Sequence, residues 1–132
     1  MKALQNFVNG KYVDSKSGKT TDLVNPATGK VFATAPNSNE ADIDAALKAA
    51  AAAFPAWRDT TPSFRQKALL NIADALEANA EKLVAIESEN CGKPISVTMS
   101  EEIPPMIDQI RFFAGAVRNL EGKSAAEYMP IS

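Results

Sequence analysis

A chain of 132 residues, 45% hydrophobic and 23% charged, has room for one globular domain with a modest core. Its 14 Lys and Arg against 16 Asp and Glu give a net charge of −2 without a run of one sign, which argues against nucleic acid or an anionic membrane surface as the main partner. The sequence holds no His and one Cys, so it contains no Ser/His or Cys/His nucleophile pair, no internal disulfide and no familiar zinc set. No apolar stretch approaches the roughly 20 residues of a membrane span, and the chain reads as cytoplasmic.

In chain order, Phe7-Val8-Asn9-Gly10-Lys11-Tyr12-Val13 predicts a hairpin, because Asn-Gly supplies the positive φ angles of a type I′ turn. Residues 20–24 read as a strand closed by Asn25-Pro26-Ala27-Thr28-Gly29, and residues 31–35 as its return arm. Together these arms predict one small β-ribbon. Asn39 with Asp42 three residues on predicts a capping-box-like helix start. Ile43, Ala46, Leu47, Ala50 and Phe54 give that helix a narrow apolar face, with Phe54-Pro55 as its end and Phe54 and Trp57 as core packing.

Thr61-Pro62 is a cap followed by a proline suited to the first helical position, and Gly92 followed by Pro94 is a stop. Asn79 can cap a new helix, so the run between them predicts two helices meeting near residues 77–79. The next helix starts either near Ser96 with a kink or cleanly near Pro104-Pro105, and it ends at Glu121-Gly122. Ile103, Ile107, Ile110, Phe113 or Ala114, Val117 and Leu120 form one row; Met106, Asp108, Gln109, Phe112 and Ala116 form another. Adjacent aromatics point about 100° apart on a helix, so this helix is built to be buried on two sides, of which three helices in one layer plus a ribbon cover only one.

The fold class is therefore α/β: a β-ribbon over residues 1–36, a layer of three to four helices over 37–122, and a final strand opening at 123–132. Residues alone go no further than this, and they leave open a non-enzymatic helical interaction module or a truncated product that self-associates through its apolar faces.

Five pieces in one order carry a resemblance: Phe7-Val8-Asn9-Gly10, Asn25-Pro26-Ala27-Thr28-Gly29-Lys30-Val31, Phe54-Pro55-Ala56-Trp57, Glu87-Ser88-Glu89-Asn90-Cys91-Gly92-Lys93-Pro94, and Arg111-Phe112-Phe113-Ala114-Gly115 with Glu121-Gly122. They resemble the start of the NAD(P)-dependent aldehyde dehydrogenases, and Asn90-Cys91-Gly92-Lys93-Pro94 with Glu102-Ile103-Pro104 looks most like the γ-aminobutyraldehyde and betaine aldehyde branch. The resemblance covers about the first quarter of the family's length. It implies an incomplete piece of that fold, with residues 37–122 belonging to the cofactor domain and 123–132 to an oligomerisation strand.

The full-length family oxidises an aldehyde through a thiohemiacetal, passes hydride to NAD(P)+ and hydrolyses the thioester. Its nucleophile, general base, oxyanion Asn and Gly-rich nucleotide turn match nothing here. The resemblance thus implies no catalytic and no NAD-binding residue in this chain, an inactive isolated segment, and a homo-oligomer acting on a small aldehyde when full length. Cys91 is not the nucleophile's position, and its predicted place at a helix C-terminus disfavours a thiolate.

Two further placements follow from the resemblance. Asp108 falls in the segment lining the aldehyde entry tunnel, where a carboxylate could hold a distal ammonium, with Phe112 as tunnel wall. Read from the helix alone, Asp108 is instead a partner for Arg111 at i+3. Val24, through its carbonyl, and Glu102, through its carboxylate, resemble positions of a monovalent-cation site, with Glu standing where many relatives carry Asp. Read locally, Glu102 is a first-turn acid favouring a helix N-terminus.

Overall fold

The Asn9-Gly10 pair takes φ values of 51° and 76°, the signs a type I′ turn requires. It joins β2 (Asn6–Val8) to β3 (Lys11–Val13), with β1 (Lys2–Ala3) ahead of them. Across the hairpin Phe7 and Tyr12 are register partners, and their rings meet edge-on at 5.1 Å. The computed structural model describes residues 2–121. The expected strand over 123–132 lies outside them.

The strand arms do not form one ribbon. β4 (Thr20–Asn25) pairs antiparallel with β5 (Lys30–Pro36), and β1 pairs parallel with the other edge of β5, giving a three-stranded sheet of order β1-β5-β4 beside the separate β2-β3 hairpin. A two-residue strand carries too little pattern to be read locally; its pairing is a long-range event. The β4–β5 turn follows the predicted chemistry: Asn25 Oδ1 accepts from the Ala27 N–H at 2.9 Å, and Gly29 closes the turn at φ 68°.

Contacts divide the chain into two compact units. In the first, which runs to Arg58 and includes Glu89–Gly92, α1 (Glu40–Arg58) begins at a full capping box. The Asn39 N–H donates to Asp42 Oδ2 at 3.0 Å, and the Asp42 N–H donates to Asn39 Oδ1 at 3.2 Å. Asp42 also accepts from the Lys16 N–H at 2.8 Å and from Ser15 Oγ at 2.6 Å, so it ties the loop after β3 to the helix start. Three donors converging on one buried carboxylate, the Lys16 N–H foremost, hold its pKa at about 2 against an ordinary 3.8.

Two expectations for α1 fail. The helix passes through Pro55 and ends at Arg58, because a proline this near the C-terminus removes one donor, and the orphaned Ala51 carbonyl sits on an exposed residue where water can reach it. Phe54 and Trp57 are not core: they stay 58% and 47% exposed, and Ile43 and Leu47 on the same helix are exposed too.

In the second unit α2 (Pro62–Ala78) starts as expected, with the Phe64 N–H donating to Thr61 Oγ1 at 3.3 Å. It breaks at Asn79, and α3 (Ala80–Cys91) follows. The last described helix begins near Ser96 with an irregularity: one turn, α4 (Ile95–Val97), a π-helical turn over Thr98–Glu102, then α5 (Ile103–Ala116). Within the π turn the Ile103 N–H reaches back to the Thr98 carbonyl. Pro104 and Pro105, at the second and third positions of α5, supply no N–H to the preceding turn, which therefore widens rather than continuing an α ladder. α5 stops four residues before Leu120, which is 87% exposed and not part of the inner row. Buried side chains of this unit are Ala73, Ala80, Val84, Thr98, Ile107 and Ala114.

Two tests follow from this architecture. In Gly92→Ala a left-handed φ of 77° costs about 1–2 kcal/mol, and the new methyl would meet Pro26 Cγ at 3.0 Å. Gly29→Ala pays the φ cost alone, since nothing lies within 4 Å of its would-be Cβ. Urea unfolding should show the larger loss for Gly92→Ala; equal losses would disprove the Pro26 contact. Asp42 is depressed in the fold, so its contribution is present above 3.8 and fades as pH falls towards about 2. Asp42→Asn should lower the neutral-pH unfolding midpoint and flatten its decline across that acid range; an unchanged acid profile would remove Asp42 from this role.

Candidate functional site: the outer face of the last helix

The rotational phase of α5 decides which side chains can meet a ligand. Ile107 and Ala114 are 4% and 0% exposed and face the body of the second unit. At about 100° per residue, Asp108 and Phe112 then fall about 100° and 140° round from Ile107, together on the outer side. Phe112 is 68% exposed, and Asp108 is exposed as well. The structure thus brings these two sequence-predicted residues onto one face. Phe113 lies on the opposite flank at 61% exposure, with its ring 5.3 Å from that of Phe112 in an edge-to-face arrangement. Among the described residues the second row of this helix is accordingly largely exposed, the one-sided cover expected of a single helical layer.

Arg111 is not the partner of Asp108. Its Nη2 donates to Asp74 Oδ1 at 2.9 Å and to Glu77 Oε2 at 2.6 Å, both on α2, and these two carboxylates raise its pKa further above the ordinary range. One turn of α2 therefore offers two acceptors where α5 offers one. Asp108 is left with no ion pair or hydrogen bond among the described residues. The i+3 reading of Asp108 is thereby corrected.

Phe112 forms part of the wall of an open depression of about 690 Å³ with Gly115, Ala116, Asn119 and Leu120. Asp108 is not in that wall. A second depression, about 360 Å³, runs between α2, α3 and α5, with Leu83, Val84, Ile86 and Met106 as apolar wall and Glu87 and Glu102 at its polar edge.

Glu102 ends the π turn, and its Oε2 accepts from Lys93 Nζ at 2.6 Å, while the same ammonium stands 3.6 Å from Glu87 Oε1. Nothing local predicted this bridge, since Lys93 and Glu102 are nine residues apart. It adds a partner to a carboxylate that also stands at the N-terminus of α5. Val24, in the first unit, sits on β4 beside a bulge at Leu23/Val24 and pairs with Val31. Among the described residues no group of three or more His, Cys, Asp or Glu side chains is placed to hold a metal ion. Cys91 is the last residue of α3 and is exposed. No described helix is long and apolar enough to cross a membrane.

The aldehyde dehydrogenase family model matches residues 12–130. This chain belongs to that family. It is 41% identical over 118 residues to a long-chain-aldehyde dehydrogenase of Acinetobacter, which covers 89% of this chain and 24% of that protein. It is 40% identical over 118 residues to acetaldehyde dehydrogenase 2 of Cupriavidus necator, covering 89% and 23%. An NAD+ complex of the aldehyde dehydrogenase of Bacillus cereus superposes with a TM-score of 0.87 at 34% identity, over 99% of this chain and 26% of that one. The chain thus spans about a quarter of the length of these aldehyde dehydrogenases and matches an N-terminal part of their fold.

The absence of a partner makes Asp108 dispensable for folding. In this aldehyde dehydrogenase segment Asp108→Ala should change the unfolding free energy by no more than ~0.5 kcal/mol. A larger loss in chemical denaturation would assign the residue a structural role.

Proposed function

We propose that these residues are the N-terminal part of an NAD(P)-dependent aldehyde dehydrogenase that oxidises an aminoaldehyde to the acid, with Asp108 and Phe112 on the substrate's path. One observation carries the substrate class. Asp108 is an exposed carboxylate without a partner among the described residues, one helical turn from an exposed aromatic ring. A carboxylate there offers a charge-assisted acceptor to a distal ammonium, and the Phe112 ring offers apolar cover to the methylenes behind it. The named relatives act, by their names, on long-chain aldehyde and on acetaldehyde. The aminoaldehyde reading is therefore argued from this chain's own side chains.

NAD belongs to the proposal through the family, and no residue of this chain is assigned to hold it. The glycines at positive φ are turn residues spread through the chain, not a cradle for phosphates. When bound, the cofactor accepts hydride; this chain's part is to position and screen the aldehyde's distal end. The 132 residues alone are proposed to turn over no aldehyde, since they contain no His and their one Cys ends a helix. Assembly as a homo-oligomer is part of the same reading, supported by exposed apolar side chains such as Phe113 and Leu120.

The test compares substrates in the full-length enzyme. A hydrogen bond to a charged group is worth roughly 1.5–3 kcal/mol, so Asp108→Asn should lower kcat/KM for an aminoaldehyde about 10- to 100-fold. An unsubstituted aliphatic aldehyde of equal length should lose far less. Equal losses for both substrates would end the assignment of Asp108.

A further inference from the structure

We infer that Lys93 is the resident cation of the Glu102 carboxylate, and that the monovalent metal ion the family resemblance implies is not taken there. The donor set decides this. Glu102 Oε2 accepts from Lys93 Nζ at 2.6 Å, and Glu87 Oε1 lies 3.6 Å from the same nitrogen, so a primary ammonium bridges two carboxylates from α3 and the π turn. A hard metal cation asks for several oxygen donors at once. Here the carboxylates already surround a positive charge, and a metal ion would have to approach that charge or displace it.

Magnitudes favour the lysine. All three side chains are between 42% and 47% exposed, so any single contact is weak, of order 0–1 kcal/mol. A free ion has to be captured from bulk for that small return. Lys93 is tethered a few residues from Glu87 and nine from Glu102, so its charge stays at the pair whatever the salt concentration. The longer reach of Glu over Asp serves the same end, because its extra methylene brings the carboxylate to an ammonium on a long, flexible stem. The π turn places Glu102 at its last residue, and the wide turn follows from the two prolines beyond it. This inference is independent of which aldehyde is oxidised.

The experiment is the sodium NMR line width of the intact protein at matched ionic strength. Wild type and Glu102→Gln should give the same line width; excess broadening in the wild type would overturn the inference. Lys93→Met takes the ammonium away from Glu102 and should broaden the line, and the double variant Lys93→Met/Glu102→Gln should remove that broadening. Lys93→Met indistinguishable from wild type would show that the lysine is not what keeps the ion out, and would also overturn it. If Lys93→Met fails to fold, the comparison of wild type with Glu102→Gln decides alone.

Discussion

The packing of α5 on α2 is the constraint from which the rest of the second unit follows. Ala73 of α2 and Ala114 of α5 are fully buried, and side chains this small let packed helices approach closely. Ile107 is the large side chain that α5 buries, at 4% exposure. Once Ile107 and Ala114 face inward, the helical period leaves no freedom for the others. Arg111 falls about 40° from Ile107, at the edge of the buried stripe, where its long stem reaches the α2 carboxylates. Asp108 and Phe112 fall well outside it. A one-residue slip in phase would exchange these roles, bringing a carboxylate to the packed side without a partner, which is among the costlier errors a fold can make.

Electrostatics completes what packing begins. Asp108 and Arg111 have the sequence spacing of a helix ion pair, a contact worth a few tenths of a kcal/mol when solvated. Arg111 instead meets two carboxylates through one nitrogen, and Asp74 and Glu77 need no rotation of α5 to be met. Competition between acceptors, rather than distance alone, leaves Asp108 open to a ligand. Lys93 illustrates the opposite outcome: two acids compete for one ammonium and both receive a share of it.

What was legible in the sequence was local chemistry. Asn9-Gly10, the Thr61 cap with Pro62, the break at Asn79 and the Asn39/Asp42 box all act within four residues, and each appears where read. The box was legible only in part, because Ser15 and Lys16 reach Asp42 from a loop more than 25 residues away. The same limit applies to β1 on β5, to Arg111 on α2 and to Lys93 on Glu102: partners distant in sequence carry no pattern of their own. Phe54 and Trp57 failed for a different reason. Their hydrophobicity marks surface worth burying, but composition does not state which element supplies the cover. Of the candidate site, the face shared by Asp108 and Phe112 followed from helical period, while the freedom of Asp108 depended on a contact 34 residues from Arg111.

That difference between apolar and buried bears on the energetics of the whole. Among the described residues Val84 and Ile107 are the only large aliphatic side chains below one-tenth exposure; the other buried apolar residues are alanines. Full burial of a Val or Ile contributes about 1.5–3 kcal/mol, against about 1–2 kcal/mol of backbone entropy for every residue ordered. Two such side chains cannot offset the ordering of the helices they join. The half-buried rows must therefore contribute, and so must the caps and cross-helix contacts that hold those rows in place. Ile43, Leu47 and Phe54 of α1 are each more than half exposed and leave apolar area in water. A surface that covered α1 would accordingly add to stability in proportion to the apolar area it removed from water.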